Sequence, residues 1–391
     1  MPSPRYSAYN IDIPASTLEA LNHRLRQTRW PDEPTQDWSY GAKPAFIREL
    51  VTYWIDSFNW HAQLERIGKL PHFQASVRGR ALHFVYVIGD GPRPFPIVLT
   101  HGWPGTFLEM SNLIPLLTRP AEHGADPADA FDVIVPSLPG FAFSQQLPPG
   151  GALDEVCAMW HELLNGVLGY RSYGAHGGDI GASVTARLAG LYPRSVVGIH
   201  LTSVSGSAII RYLGEGARPI SDAERAFLDA QAQWYDAEGG YAHLQRTKPQ
   251  TLAFALNDSP VGLCAWITEK LRAWSDCGGD VERVFSKDEI LTGATIYWAT
   301  QTIASSMRMY FDMRVTPWRL RRNDRVKTPT GVAIFPADIA HPPREWGERV
   351  FNIVRWTEPA RGGHFPAHEQ PAVLAHELRE LFRPLRQAAT T

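Results

Sequence analysis

The chain has 391 residues, 44% hydrophobic and 20% charged, with a formal net charge of −2 at pH 7, which fits a soluble globular protein with a sizeable core in one large domain or two modest ones. The balanced charge and the lack of any long Lys/Arg block argue against a nucleic-acid or acidic-membrane partner. The three cysteines, Cys157, Cys264 and Cys277, form no C-x-x-C pair, so a disulfide framework or zinc site is not expected and a reducing compartment fits better.

The opening MPSPRYSAYNIDIPAS lacks a basic region followed by an apolar stretch, so no signal peptide is expected. No run of about 18 apolar residues occurs anywhere, so no membrane span is expected and the default location is cytoplasmic. Leu18, Leu21 and Leu25 fall at helical spacing in residues 16–30, behind a Ser/Thr start, and a second amphipathic helix is predicted at 43–57. This opening, residues 1–75, has no fold of its own and is expected to pack as a helical arm on the core.

From Phe73 the periodicity changes. FQASV and ALHFVYVIG read as strands joined by a turn at Arg78–Gly79–Arg80. PFPIVLTHG and AFDVIVPSLPG are continuous apolar runs, as buried parallel strands require. A helix (153–169), a short strand before Gly177, a helix (181–191) and the strand VVGIHLTSV come next. Strands alternating with helices predict an α/β fold, a mostly parallel sheet covered on both faces. Residues 206–325 turn helical and read as a lid inserted before the last strands. The strand GVAIFP (331–336) resumes the sheet and a helix through AVLAHELRELFRPL closes it, so the core is expected at 76–205 and 326–391. The chain is rich in aromatics, with 13 Trp, 13 Tyr and 17 Phe, which serve core packing or line an apolar pocket.

Three loops carry candidate chemistry. In Gly177–Gly178–Asp179–Ile180–Gly181 a carboxylate occupies the tip of a nucleophile elbow, the strand-to-helix turn that usually presents Ser. An Asp there is already ionised and needs no base to activate it. On these five residues alone, a helix-capping Asp is an equal reading. HGWPG (His101 to Gly105) comes directly after the strand PFPIVLT. In hydrolases built on such a sheet, this loop and the residue after the nucleophile supply the N–H groups of an oxyanion hole, here Trp103 and Ile180. In RGGHFPAHEQP, His364 stands after two glycines and suits a general base, with His368 as the local decoy. Asp338, just beyond the strand GVAIFP, is the acid expected to orient it; Glu345 and Glu348 lie nearby in a predicted helix.

Together these stretches resemble the epoxide hydrolases of the microsomal type, on the α/β-hydrolase fold. The resemblance runs nearly end to end: RLRQTRWPDE, WSYG, YWIDSFNW and PHF in the arm, then HGWPG, GGDIG, NDSPVGL, FPAD and GGHF in the family's order. It implies a soluble, anchor-free relative, since members proper carry a membrane anchor ahead of this region. It also implies two lid tyrosines as donors to the epoxide oxygen, Tyr241 and Tyr310, with Tyr297 and Tyr235 as decoys. The family often has Trp where this chain has Ile180, a change expected to alter pocket shape more than mechanism.

The implied reaction is attack of Asp179 on an epoxide carbon, then hydrolysis of the ester by water activated by His364 and Asp338, giving a vicinal diol in detoxification or aromatic-hydrocarbon catabolism. His364 must be neutral to act, which favours working near or above neutral pH. The partners are a small apolar epoxide and water, no cofactor or metal is required, and the arm could embrace its own chain or a neighbour's in a homodimer. Rival readings are a haloalkane dehalogenase, which commonly has Asn where Trp103 stands, and a non-catalytic binding protein that kept the pocket.

Overall fold

The computed structural model describes residues 5–151, 153–204, 218–318 and 325–388. The predicted lid therefore falls outside the described residues at 206–217 and 319–324, as do the two chain ends. Among the described residues one sheet of nine strands runs in the order β1-β2-β3-β5-β4-β6-β7-β8-β9. β2 (His72–Val77) and β3 (Arg80–Val87) form the expected hairpin, with Arg78 and Gly79 both at positive φ, as a two-residue turn between twisted strands requires. β1 (Tyr6–Ala8) pairs antiparallel with β2, and β3 runs antiparallel to β5 (Phe131–Pro136). From β5 onward every neighbouring pair is parallel: β4 (Phe95–Thr100), β6 (Tyr173–Gly177), β7 (Val196–Leu201), β8 (Val326–Ala333) and β9 (Phe351–Thr357). β4 and β5 are buried at every residue, which is why they appear in the sequence as unbroken apolar runs.

The helices depart from expectation in identifiable ways. α1 (Ala15–Arg26) ends earlier than predicted, and after α2 (Pro44–Asp56) comes an unpredicted α3 (Trp60–Ile67), capped by the Asn59 side chain. A short α4 (Leu113–Thr118) lies between β4 and β5. The helix predicted at 153–169 is α5 (Leu153–His161), which widens into a π-turn at Glu162–Val167. α6 (Asp179–Leu191) starts two residues early, at the aspartate itself. Between β7 and β8 lie α7 (Asp222–Glu238), α8 (Gly240–Thr247), α9 (Pro249–Asp258), α10 (Pro260–Trp274), α11 (Lys287–Ala299) and α12 (Ile303–Val315). β8 begins at Val326 rather than 331, its pairing irregular near Pro329, and no sequence pattern predicts β9. β9 is a partly exposed edge strand and carries no continuous apolar run. α13 (Arg344–Gly347), α14 (Pro366–Glu369) and α15 (Pro371–Ala388) complete the chain.

Four of the buried histidines are at most 1% exposed: His83 on β3, His101 after β4, His176 on β6 and His200 on β7. Burial pushes His101 down to about 4 and His200 to about 3, and holds His83 and His176 well below the ordinary value. The unfolded chain takes up these protons near pH 6.5 and the folded chain does not. Their contribution is thus complete above that pH and is lost as pH falls toward the folded values. From these four groups, stability in urea unfolding is expected to fall as pH drops from about 6.5 toward 4.5. An unchanged urea midpoint at pH 5 would contradict this account.

Candidate active site

The chain leaves β4 for β5 on one side of the sheet and returns to β6 on the other. This reversal opens a crevice at the carboxyl ends of β4 and β6. Both predicted loops sit there. Gly177 and Gly181 allow the turn by close approach: a Cβ on Gly177 would lie 2.3 Å from the Gly181 carbonyl, and one on Gly181 would lie 2.0 Å from the Thr100 oxygen. Asp179 takes up the curvature with φ 48°, a left-handed conformation that costs a side-chain-bearing residue on the order of 1–3 kcal/mol.

The capping alternative for Asp179 does not match this geometry. The N-cap of α6 is Gly178, without any side-chain cap bond, and Asp179 is already inside the helix. Its Oδ1 instead accepts from the Trp103 N–H at 2.9 Å, across the crevice. The Trp103–Pro104 bond is cis. Ile180, the other predicted donor, is buried in the first turn of α6, where helix N–H groups have no intrahelical partner.

His364 lies between β9 and α14, and Asp338 lies just past β8. A bridge between Ala337 and Gly363 ties their two loops together. His364 Nδ1 meets Asp338 Oδ1 at 2.6 Å, and its Nε2 lies 3.7 Å from Asp179 Oδ2. Asp338 Oδ1 also accepts from the Ile339 N–H at 2.7 Å. Burial alone would lower the His364 pKa. The negative charges of Asp338 and Asp179 outweigh it and hold the imidazole well above its ordinary value. The site thus favours the proton on His364, which must give it up before it can act as the base.

Tyr241 on α8 stacks on Trp103 with ring centroids 5.4 Å apart and planes within 10°. Tyr310 on α12 meets both rings edge-on at 6.1 Å. Burial first, then the charge of Asp179, pushes both phenols well above 10, so both keep their protons in the resting site. The indole N–H groups of Trp103 and Trp274 are buried without a hydrogen-bond partner, and the buried Tyr310 hydroxyl faces that of Tyr241. Buried donors left open in this way are uncommon and suit a ligand oxygen.

The decoys are engaged differently. Tyr297 donates to the Gly105 carbonyl at 2.9 Å, Tyr235 is 54% exposed, and His368 stacks on Phe285 with Nε2 against the Val284 carbonyl. Glu345 is engaged by Arg218 and Ser221, and Glu348 by Arg344.

Three residues of the site carry no motif. Trp274 packs against Trp103, Tyr241 and His364, and its carbonyl accepts the His364 N–H at 2.8 Å. Glu369 accepts from the backbone N–H groups of Asp276, Gly363 and Phe365, pinning the histidine loop. Glu109 packs on the HGWPG loop, and burial pushes its carboxyl up to about 7. A lone acid in the apolar run TFLEM is the only signal for it.

Comparison with known proteins bears on the same regions. A family model described as epoxide hydrolase N terminus matches residues 6–110, and one described as alpha/beta hydrolase fold matches residues 96–247. A protein of Stigmatella aurantiaca bearing an epoxide hydrolase name is 41% identical over 382 residues, covering 97% of this chain and 85% of its own. Epoxide hydrolase 1 of Sus scrofa is 33% identical over 409 residues, covering 97% of this chain and 89% of its own. The structure of Aspergillus niger epoxide hydrolase superposes with a TM-score of 0.84 at 26% identity, covering 98% of this chain and 97% of that one.

Proposed function

The chain belongs to the epoxide hydrolases of the α/β-hydrolase fold, and from that premise we propose that it turns apolar epoxides into vicinal diols with Asp179 as nucleophile. The observation that carries the assignment is the Asp179 carboxylate. It caps no helix, one oxygen meets the Trp103 N–H, and the other lies 3.7 Å from His364 Nε2. A carboxylate so held can attack carbon with one oxygen while its carbonyl stays in reach of an activated water.

In this reading Tyr241 and Tyr310 hydrogen-bond the ring oxygen. One gives up its proton as the C–O bond breaks and the Asp179 oxygen bonds to carbon. His364, oriented by Asp338, then takes a proton from water as the water oxygen bonds to the ester carbonyl. The oxyanion of that step is received by the backbone N–H groups of Trp103 and Ile180. Collapse breaks the acyl C–O bond, and the departing alkoxide takes the second water proton from the newly formed Asp179 acid, which releases the diol and restores the carboxylate. A role in detoxification or aromatic-hydrocarbon catabolism belongs to the same proposal. So does a cytoplasmic setting, where the unpaired Cys157, Cys264 and Cys277 stay reduced. The haloalkane dehalogenase alternative gains no support from the relatives.

Isotope labelling tests the ester directly. In a single turnover in H₂¹⁸O with enzyme in excess, the first diol should carry no label and Asp179 should carry it, because water attacks the enzyme's carbonyl. Label in the first diol would mean direct attack of water on the epoxide, and the covalent route would be wrong.

A further inference from the structure

Tyr241 is not enclosed by aromatic rings alone. Lys270, on α10 one turn before Trp274, sets its Nζ 5.2 Å from the centroid of the Tyr241 ring and 5.9 Å from that of Trp274. The residue is only 6% exposed. Glu269 holds its ammonium at 2.7 Å, and Glu238, the last residue of α7, holds it at 3.4 Å. Both carboxylates are more exposed than the lysine between them. Among the described residues no cation lies over the Tyr310 ring. The two phenols that face the crevice therefore differ in their surroundings.

A buried ammonium is a costly way to fill space between helices, since an apolar side chain of similar volume often serves stability as well. We propose that Lys270 is a positioning residue for ring opening: its ammonium stabilises the Tyr241 phenolate, which makes Tyr241 the tyrosine that gives up its proton and leaves Tyr310 to hold the epoxide oxygen by a hydrogen bond. The inference rests on the proposed ester mechanism and names which of the two tyrosines is the acid. A cation near a neutral phenol is drawn weakly by the ring quadrupole. Near a phenolate it meets a full negative charge delocalised over the same ring. The contact strengthens as the proton leaves, and only an interaction that grows toward the transition state speeds the step. In that step the electron pair of the breaking C–O bond stays on the epoxide oxygen, which takes the Tyr241 proton, while the Asp179 oxygen bonds to carbon. Lys270 keeps its protons and forms and breaks no bond.

The charges around the two phenols show why a cation is needed. Burial first, then the charge of Asp179, opposes ionisation of both. Around Tyr241, Tyr235 and Glu269 oppose it as well, whereas the hydrogen bond from Tyr310 favours it. Around Tyr310 the same pairing works in the opposite sense, with Tyr241 and Tyr297 both adding to the opposition. The hydroxyl pair is thus polarised toward an anion on Tyr241. As the ester forms, the charge of Asp179 is spent but the burial remains, and Lys270 is the counter-charge against that ring.

The test is a double-mutant cycle on ester formation, followed by quenched single-turnover mass spectrometry with styrene oxide. Lys270→Met should slow ester formation roughly 10- to 100-fold, the scale of a cation–ring contact in a desolvated site. Lys270→Arg, which keeps the charge, should recover most of the loss. In a Tyr241→Phe background Lys270→Met should cost no more than about twofold further, because no phenolate can form on that ring, whereas in a Tyr310→Phe background it should cost the full factor. A lysine that merely braces the helices would slow both backgrounds alike. Ester formation unchanged in Lys270→Met, or slowed equally in the two backgrounds, would overturn the assignment. If Lys270→Met does not fold, Glu269→Gln decides. It removes an anion that opposes the phenolate while Glu238 still holds the ammonium, so ester formation should rise about two- to fivefold, which damage to the fold could not produce. No gain there would overturn the proposal. If the unmodified enzyme forms no ester at all, the ester mechanism fails instead.

Discussion

His364→Gln enzyme mixed with styrene oxide is expected to gain the mass of one epoxide and keep it. Attack by Asp179 needs no base, because the nucleophile is already a carboxylate, so the first half-reaction proceeds. Hydrolysis needs a proton acceptor for water, and the imidazole whose Nε2 lies 3.7 Å from Asp179 Oδ2 is the group proposed for that role. Removing a general base costs about 10²- to 10⁴-fold, so the ester should persist for many turnovers' worth of time. Peptide mapping should locate the added mass on Asp179. An unmodified protein across aryl and aliphatic epoxides, together with halide release from alkyl halides, would sink the proposed function.

The second large effect is expected from the lid. Tyr241→Phe and Tyr310→Phe each remove one donor from the oxygen on which charge develops, and each should slow ester formation by about 10²- to 10³-fold, the scale of a lost oxyanion donor. One tyrosine can still serve as the acid in either single variant. The double variant has neither, and its ester formation should fall below detection. A double variant that still opens styrene oxide at close to the normal rate would show that the donors lie elsewhere, and both assignments would be withdrawn.

The parts of this molecule legible in the sequence are those written in local pattern. β4 and β5 announce themselves because they are buried on both faces. The elbow and the HGWPG loop announce themselves because close packing at Gly177, Gly181 and Gly102 leaves no choice of residue. β9 and α3 escape notice for the opposite reason: an edge strand and a short helix on the arm carry weak periodicity. Within the site, Asp179, Trp103, His364 and Asp338 can be picked out because each stands at a fixed place after a strand. Tyr241 and Tyr310 can be named only through family resemblance. Glu109 and Glu369 cannot be picked out, since an acid folded back onto its own loop has no spacing signature, and Trp274 is placed by contacts with distant chain. The Trp274 carbonyl under the His364 N–H is such a contact, and no spacing rule predicts it.

The 3.7 Å contact between Asp179 and His364 also acts as an interlock on the proposed cycle. Before the ester forms, the charges of Asp338 and Asp179 favour the proton on the imidazole and oppose its action as a base. Ester formation erases one of those anions. The imidazole then loses half of what held its proton, just as a tyrosinate appears that requires one. Transfer of that proton resets the phenol and unmasks the base in a single move. When the ester is hydrolysed, Asp179 regains its charge and the imidazole keeps the proton taken from water, which returns both groups to their starting state. In this proposed cycle charge, rather than a moving part, disfavours the base until the ester has formed.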